Sequence, residues 1–400
     1  MNWLEVDQDE TLKRGRPCYK LNVEAKEAFD DAWTRCMSRE GYGVTFNAQL
    51  KDEVRVQGKK ARVFYMMQFV DMLRHRMVFA FAQFALRLNR DYSENYIGLN
   101  CASSDWGKLY HGMLAVSNEG ADKDVQEYDM SQKRPMRVAE LDGFWVVLAK
   151  HLGYSEKDLH AMLSAGIEDC FAYTYVQGDV FLSPGQNNSG SVKTSDDNSA
   201  HNSILHRCAW IYLYEQFVKS WSSFLVNISS KYRDNCKLAA FGDDSDEAIS
   251  PKVQSFYNFK AFKEFFAKFG IVITPARKEE GDYIVKPISE CEFLKRGFKE
   301  TTIYFQDQAH AVVLAPLNLS SIYKSLCYQV ASKVVTSEVQ TIGAIQSANR
   351  EFWMHGKEMF DKEHDKLEEA AHSLGYIGKL ESYDEITAIY LNGTYATEAT

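Results

Sequence analysis

No two cysteines in this sequence stand in a CxxC spacing, and none shares a Cys/His knuckle. The eight that are present (Cys18, Cys36, Cys101, Cys170, Cys208, Cys236, Cys291 and Cys327) are scattered. That is the pattern of reduced, mostly buried thiols, and it argues against structural zinc. No secretory leader is visible, because Met1-Asn-Trp-Leu-Glu-Val-Asp7 puts acids where an apolar segment would stand. No apolar run is long enough to span a bilayer; the longest, Met77 to Leu86, is interrupted by Gln83. The sequons Asn227-Ile-Ser and Asn392-Gly-Thr therefore read as chance matches. Positive charge is not in excess: the chain carries −9 at pH 7, so any contact with nucleic acid has to come from local basic patches. Internal repeats and low-complexity segments are also missing.

What is present is a globular composition, 45% hydrophobic and 25% charged. A length of 400 residues exceeds one ordinary core and predicts two or three lobes. Apolar spacing predicts helices over Val23–Met37, Phe64–Leu88 and, in two pieces parted near Gly153, Leu141–Leu163. The second piece opens at Ser155 with Asp158 three residues on, a capping arrangement. Phe171–Phe181 reads as a hairpin turning at Gly178-Asp179, and Ser255–Phe269 as an amphipathic helix ended by Gly270. Phe293–Phe298 and Thr301–Phe305 read as a strand pair, and the chain from Leu317 as mainly helical, with Ile322, Leu326 and Val330 on one face.

Chemistry concentrates in a few stretches. Lys237-Leu-Ala-Ala-Phe-Gly-Asp-Asp-Ser-Asp246 is an apolar run that turns at Gly242 and presents Asp243 and Asp244 side by side. Their repulsion is most easily tolerated beside a cation, although such tripeptides are also common in surface turns. Lys51-Asp-Glu-Val-Arg-Val-Gln-Gly-Lys-Lys-Ala-Arg62 sets five basic residues (Lys51, Arg55, Lys59, Lys60, Arg62) against two acids. It fits a solvated hairpin, with a short strand around Val54 and Val56, or a cradle for a polyanion. Asp124 and Asp129, five apart, would face opposite ways on an unbroken strand, so they serve one site only if the chain bends between them. Ser189 and Gly190 lie in a polar loop leading to a helix, near whose start Thr194 and Asn198 share a face. Ile271–Lys278 is a strand ending in a loop lysine.

The order of these pieces resembles the motif order of viral RNA-dependent RNA polymerases, closest to those of picornavirus-like positive-strand RNA viruses. The resemblance runs from about residue 40 to 300. It implies an α+β right-hand fold with fingers, a palm made of an antiparallel sheet flanked by helices, and a helical thumb. The implied division is fingers at 1–115 (partial) and 151–185, palm at 116–150 and 186–300, and thumb at 301–400. The lead-in before Lys51 and the spacer from Arg55 to Lys60 are shorter than in relatives, so the amino-terminal fingers are expected to be abbreviated.

The resemblance also implies roles. Asp124, Asp243 and Asp244 would hold two Mg²⁺ or Mn²⁺ ions, and Lys278 would protonate the leaving pyrophosphate. Lys51, Arg55, Lys59, Lys60 and Arg62 would bind the triphosphate of an rNTP. Asp129, Thr194 and Asn198, with Ser189 and Gly190 in the same motif, would sense the ribose 2′-hydroxyl. Phe293-Leu-Lys-Arg296 matches the primer grip, so Lys295 and Arg296 would touch the RNA primer or template backbone. Expected partners are template, primer, rNTPs, a viral protein primer and other replication proteins, at membrane-associated complexes in the host cytoplasm. A catalytically impaired, RNA-binding relative of such enzymes is the alternative.

Overall fold

The computed structural model describes residues 3–14, 17–38, 40–41, 43–53, 58, 60–183, 185–220, 228–278, 281–332 and 334–393. The chain divides into two units interleaved in sequence: Met1–Lys51, Ala61–Asn95 and Glu127–His201 form the first, and Asp52–Lys60, Tyr96–Gln126 and Asn202–Thr400 the second.

In the first unit, Thr45–Leu50 pairs antiparallel with Val63–Met67 and parallel with Tyr173–Val176, and the latter continues antiparallel into Asp179–Leu182. The expected hairpin is thus present, its turn carried by Gln177 and Gly178, both at positive φ. Helix Val23–Ser38 forms as expected. Phe64–Leu88, however, is not one helix. Val63–Met67 is a strand, Gln68 is extended, and the helix starts at Phe69. A single polar residue, Gln68, separates the apolar strand from the apolar start of the helix, so periodicity marks no boundary; the ladder to Thr45–Leu50 decides the strand. Helix Phe69–Leu88 buries Val78, Phe79, Ala82 and Leu86 against Leu141, Trp145 and Ala149 of a helical run from Arg134 to His151, and against Ala161, Met162 and Ala165 of helix Glu156–Cys170. Ser155 and Asp158 close a reciprocal capping box on that last helix.

The second unit is built on a five-stranded sheet. Ile273–Thr274, Glu119–Val125, Asp244–Ile249 and Cys236–Phe241 follow one another, and Lys286–Pro287 also pairs with Glu119–Val125. Helix Ser104–Leu114 supplies Trp106, Leu109, Tyr110 and Met113 to a core that also takes in Phe293, Phe298, Ile303 and Trp353; Trp106 stacks on Phe298 at 4.9 Å. The amphipathic helix is narrower than expected, Phe259–Ala267, with Asn258 as its cap. Phe293–Phe298 does not pair with Thr301–Phe305. Lys299–Phe305 pairs instead with Gln308–Leu314 through a turn at Gln306-Asp307, while Phe293 and Arg296 close a tight turn of their own. Helices Leu319–Cys327, Ser337–Met354 and Lys357–Ser373 then bury Ile322, Ile345, Phe352 and Leu367 together. Val330 lies beyond the first of them and does not extend its face. The class is α+β, as the sequence predicts. Among the described residues no helix is long and apolar enough to cross a membrane.

Candidate active site

The sheet of the second unit gathers the acids by register. Phe241 pairs with Asp244 across a tight turn, in which Gly242 takes φ +69°, a conformation that costs a residue with a Cβ 1–2 kcal/mol or so. On the other side of Asp244–Ile249, Asp122 pairs with Asp246 and Lys123 with Ser245. Continuing that register by one residue sets Asp124 across from Asp244, on the same face of the sheet. Thr274 pairs with Asp124 from the opposite edge, and four residues on the Lys278 ammonium reaches the Asp124 carboxylate at 3.0 Å. Asn202, a residue no motif drew attention to, donates to the carbonyls of Gly242 and Asp243 at 3.2 and 3.4 Å and so braces the turn.

Among the described residues, no three Asp, Glu, His or Cys side chains converge tightly enough to ligate an ion as they stand. The donor set nevertheless suits a hard divalent cation, being all carboxylate oxygen. Burial, and then the neighbouring Asp243 and Asp124, push the Asp244 carboxyl up to about 7. A cation among the three would relieve that repulsion.

Behind this front row lies a second one. Asp122 is fully buried and accepts from the Glu292 N–H, the Tyr283 hydroxyl and the Lys286 ammonium, each at 2.8 Å. On the reverse face, Lys123 meets Glu247 at 2.5 Å, and Tyr232 and Tyr257 donate to the same carboxylate. Both charges are buried but paired and hydrogen-bonded, the condition under which burial is tolerable. They hold in place the strand that presents Asp124.

In the first unit, Glu127 adopts φ +48° and starts the helical turn Tyr128–Ser131, so the strand that carries Asp124 does not run unbroken to Asp129. Helix Thr194–Ser220 begins at Thr194, and the Asn198 amide donates to Asp129 Oδ1 at 3.0 Å. Burial raises the Asp129 carboxyl pKa, against the Asn198 hydrogen bond and Arg137. Two residues missing from the sequence reading complete this network: Gln132 and Asn187 donate to Asn198 Oδ1 at 2.6 and 2.7 Å. Thr194 sits differently from expectation, since its hydroxyl donates to the Asn188 carbonyl at 2.6 Å and braces the loop. Ser189 Oγ accepts from the Tyr65 N–H at 3.2 Å, and Gly190 bridges to Met66. A Cβ on Gly190 would lie 1.8 Å from the Tyr65 carbonyl oxygen, so only glycine fits. The helix start is anchored by Asp196, which takes a two-pronged contact from Arg87 (3.1 and 2.6 Å) and further bonds from Gln83 and Asn95.

Of the basic stretch, Lys51, Lys60 and Arg62 are exposed, and the Lys51 N–H bonds to the Arg62 carbonyl at 2.9 Å where the two strands meet. Arg55 and Lys59, and the strand expected around Val54 and Val56, lie outside the described residues. Lys295 is exposed at the tip of the Phe293–Arg296 turn. Arg296 is not so available: its guanidinium grips Glu351 at 2.6 and 2.8 Å and donates to the Ala315 carbonyl.

A family model described as viral RNA-dependent RNA polymerase matches residues 10–371 of this sequence. The chain belongs to that family. Among its curated relatives, the RNA1 polyprotein of Andean potato mottle virus is 24% identical over 276 residues, 69% of the chain and 35% of the relative. The replicase polyproteins of Cricket paralysis virus and Drosophila C virus are each 26% identical, over 82% and 86% of the chain. The chain spans only 18% and 19% of those two. A solved structure of the Sicinivirus 3Dpol RNA dependent RNA polymerase superposes with a TM-score of 0.74 at 15% identity, covering 98% of this chain and 74% of that one. The fold is therefore that of a right-hand polymerase.

Proposed function

We propose that this chain is the polymerase of a picornavirus-like positive-strand RNA virus, adding rNTPs to an RNA primer under the direction of an RNA template. The observation that carries the reading is the register of Asp122 on Asp246 and Lys123 on Ser245, whose continuation brings Asp124 to Asp244 and Asp243, with Lys278 at 3.0 Å from Asp124. Asp124 and Asp243, with Asp244 as a lesser ligand, would hold two Mg²⁺ or Mn²⁺ ions. When bound, these supply activation of the primer 3′-hydroxyl and charge neutralisation at the α-phosphate and leaving pyrophosphate. Lys278 would give its proton to the pyrophosphate oxygen freed as the bond to the α-phosphorus breaks. Lys51, Lys60 and Arg62, with Arg55 and Lys59 of the same stretch, would bind the triphosphate.

Asp129 and Asn198 are the proposed readers of the ribose. With one bond made between them, Asn198 keeps an N–H and Asp129 keeps Oδ2, neither with a protein partner among the described residues. A hydroxyl both donates and accepts, so the pair suits the 2′-hydroxyl that marks an RNA precursor. In this reading palm, fingers and thumb follow the boundaries expected from the sequence. The setting is the host cytoplasm, with other replication proteins and a protein primer as partners. The test is extension of a primed RNA template with labelled rNTPs in Mg²⁺ or Mn²⁺. Extension should vanish in Asp124→Asn and Asp243→Asn; extension undiminished by either would refute the reading.

A further inference from the structure

Asn198 reads the ribose usefully only if its amide faces Asp129 nitrogen-first. Nothing in an isolated asparagine favours that orientation, since its two ends are nearly the same size. The surrounding network decides it. Gln132 and Asn187 are both 1% exposed, and both direct their amide nitrogens at Asn198 Oδ1, at 2.6 and 2.7 Å. Turning the Asn198 amide over would bring its nitrogen against two buried N–H donors and its oxygen against the Asp129 carboxylate, three mismatches at once. Neither partner is placed by chance. Gln132 follows directly on the turn Tyr128–Ser131 that carries Asp129, and the Asn187 N–H donates to the Asp129 backbone carbonyl at 3.0 Å. The Tyr128 hydroxyl also donates to the Asn198 carbonyl at 3.0 Å, fixing the backbone beneath the same side chain.

Both donors hold this position at some expense elsewhere. The carbonyl oxygens of the Gln132 and Asn187 side chains are buried without a hydrogen-bond partner among the described residues. An unsatisfied buried acceptor destabilises a fold, so an apolar residue at either position would relieve it of a penalty. The nitrogens are what the arrangement uses.

We infer that Gln132 and Asn187 are positioning residues for ribose selection: they lock the Asn198 amide with its N–H toward Asp129 and the incoming sugar. This rests on the ribose-reading role proposed for Asn198 and Asp129. It predicts a selective defect. With the lock removed, the Asn198 amide samples both orientations and recognition of the 2′-hydroxyl weakens. A substrate without that hydroxyl has nothing to lose.

The experiment measures kcat and KM for single additions of CTP and 2′-deoxy-CTP by the full chain on a primed RNA template. Gln132→Met keeps length and packing while removing the donor, and Asn187→Ser is the independent second variant. Each should lower the CTP to 2′-deoxy-CTP ratio of kcat/KM by about 10-fold, the equivalent of losing one well-placed hydrogen bond, with 2′-deoxy-CTP efficiency within about 2-fold of wild type. Gln132→Met added to Asn198→Ala should lower the ratio no further than Asn198→Ala alone. Equal losses on both substrates, or an unchanged ratio in both variants, overturns the inference and leaves the two amides a merely structural role. If Asn198→Ala itself keeps the wild-type ratio, the ribose-reading role fails and the inference fails with it. If Asn198→Ala collapses the ratio and Gln132→Met and Asn187→Ser do not, only the positioning claim falls.

Discussion

The Lys278 ammonium stands 3.0 Å from the Asp124 carboxylate, at the end of the sheet where Asp124 lies across from Asp244. The lysine is 69% exposed, so as an ion pair it is worth little to the fold, about 0–1 kcal/mol. Its value has to be sought in chemistry. Lys278→Leu should leave thermal stability nearly unchanged and lower kcat for single-nucleotide addition by roughly 10²-fold or more, with KM moved far less. Lys278→Arg keeps the positive charge beside Asp124 but does not readily yield a proton. It should therefore be almost as slow as the leucine variant in rapid-quench kinetics. Full activity with arginine would mean that the charge, and not the proton, is what matters.

Gly190→Ala tests the close approach of the Ser189–Gly190 loop to the strand Val63–Met67. The added methyl meets the Tyr65 carbonyl oxygen at 1.8 Å, and backbone cannot swing aside as a side chain can. A loss of roughly 2–4 kcal/mol is expected in urea denaturation, with loss of nucleotide addition because Ser189 and Asn188 move with the loop. A variant as stable as wild type would show that the loop has room to shift.

Lys295 and Arg296 adjoin in sequence but should behave differently. Lys295→Ala should weaken RNA binding and reduce the slope of log affinity against log salt by about 0.7, one phosphate contact. Arg296→Leu should leave that slope alone. It strands Glu351 half-buried without its partner, so a stability loss of about 2–4 kcal/mol is expected instead. Filter binding across a salt series and denaturation of both variants separate the two.

Asp71 gives a pH signature in the first unit. Burial raises its carboxyl to about 6, opposed by Arg74 on the same helix and by the Thr45 N–H, while Glu168 and Asp169 of the facing helix push it further up. A carboxyl raised on folding stabilises below its unfolded pKa near 4, and that contribution is lost as pH rises through about 6. Wild type should thus lose on the order of 3 kcal/mol from this group between pH 4 and pH 7. Asp71→Asn should lack that component. Parallel stability–pH curves for the two proteins would show that Asp71 ionises normally.

Legibility in the sequence followed how local each signal was. The Gly242-Asp243-Asp244 turn and the Ser155/Asp158 cap are each written within four residues of chain, and both were readable. Strand parity showed that an unbroken strand would part Asp124 from Asp129, but not where the chain bends, because glutamate rarely takes a left-handed position as Glu127 does. Gln132 was unreadable as a partner of Asn198, 66 residues away, because one amide among many carries no pattern. Arg296 matched a motif for RNA contact, and only folding brings up Glu351, 55 residues later, to occupy it. The strand Val63–Met67 was hidden by apolar neighbours, and the edge that recruits it comes from Thr45–Leu50.

The Phe293–Arg296 turn has a mechanical consequence. Leu294 and Lys295 both take positive φ, the Phe293 ring is sunk in the core beside Trp106, and Arg296 is bolted to Glu351 on helix Ser337–Met354. The Asn318 N–H clamps even the Lys295 carbonyl, at 2.9 Å. Lys295 is thus mounted on a bracket fastened at three points, and only its side chain can give. Any load applied to that ammonium would meet a stiff support and pass through Arg296 and Glu351 into helix Ser337–Met354.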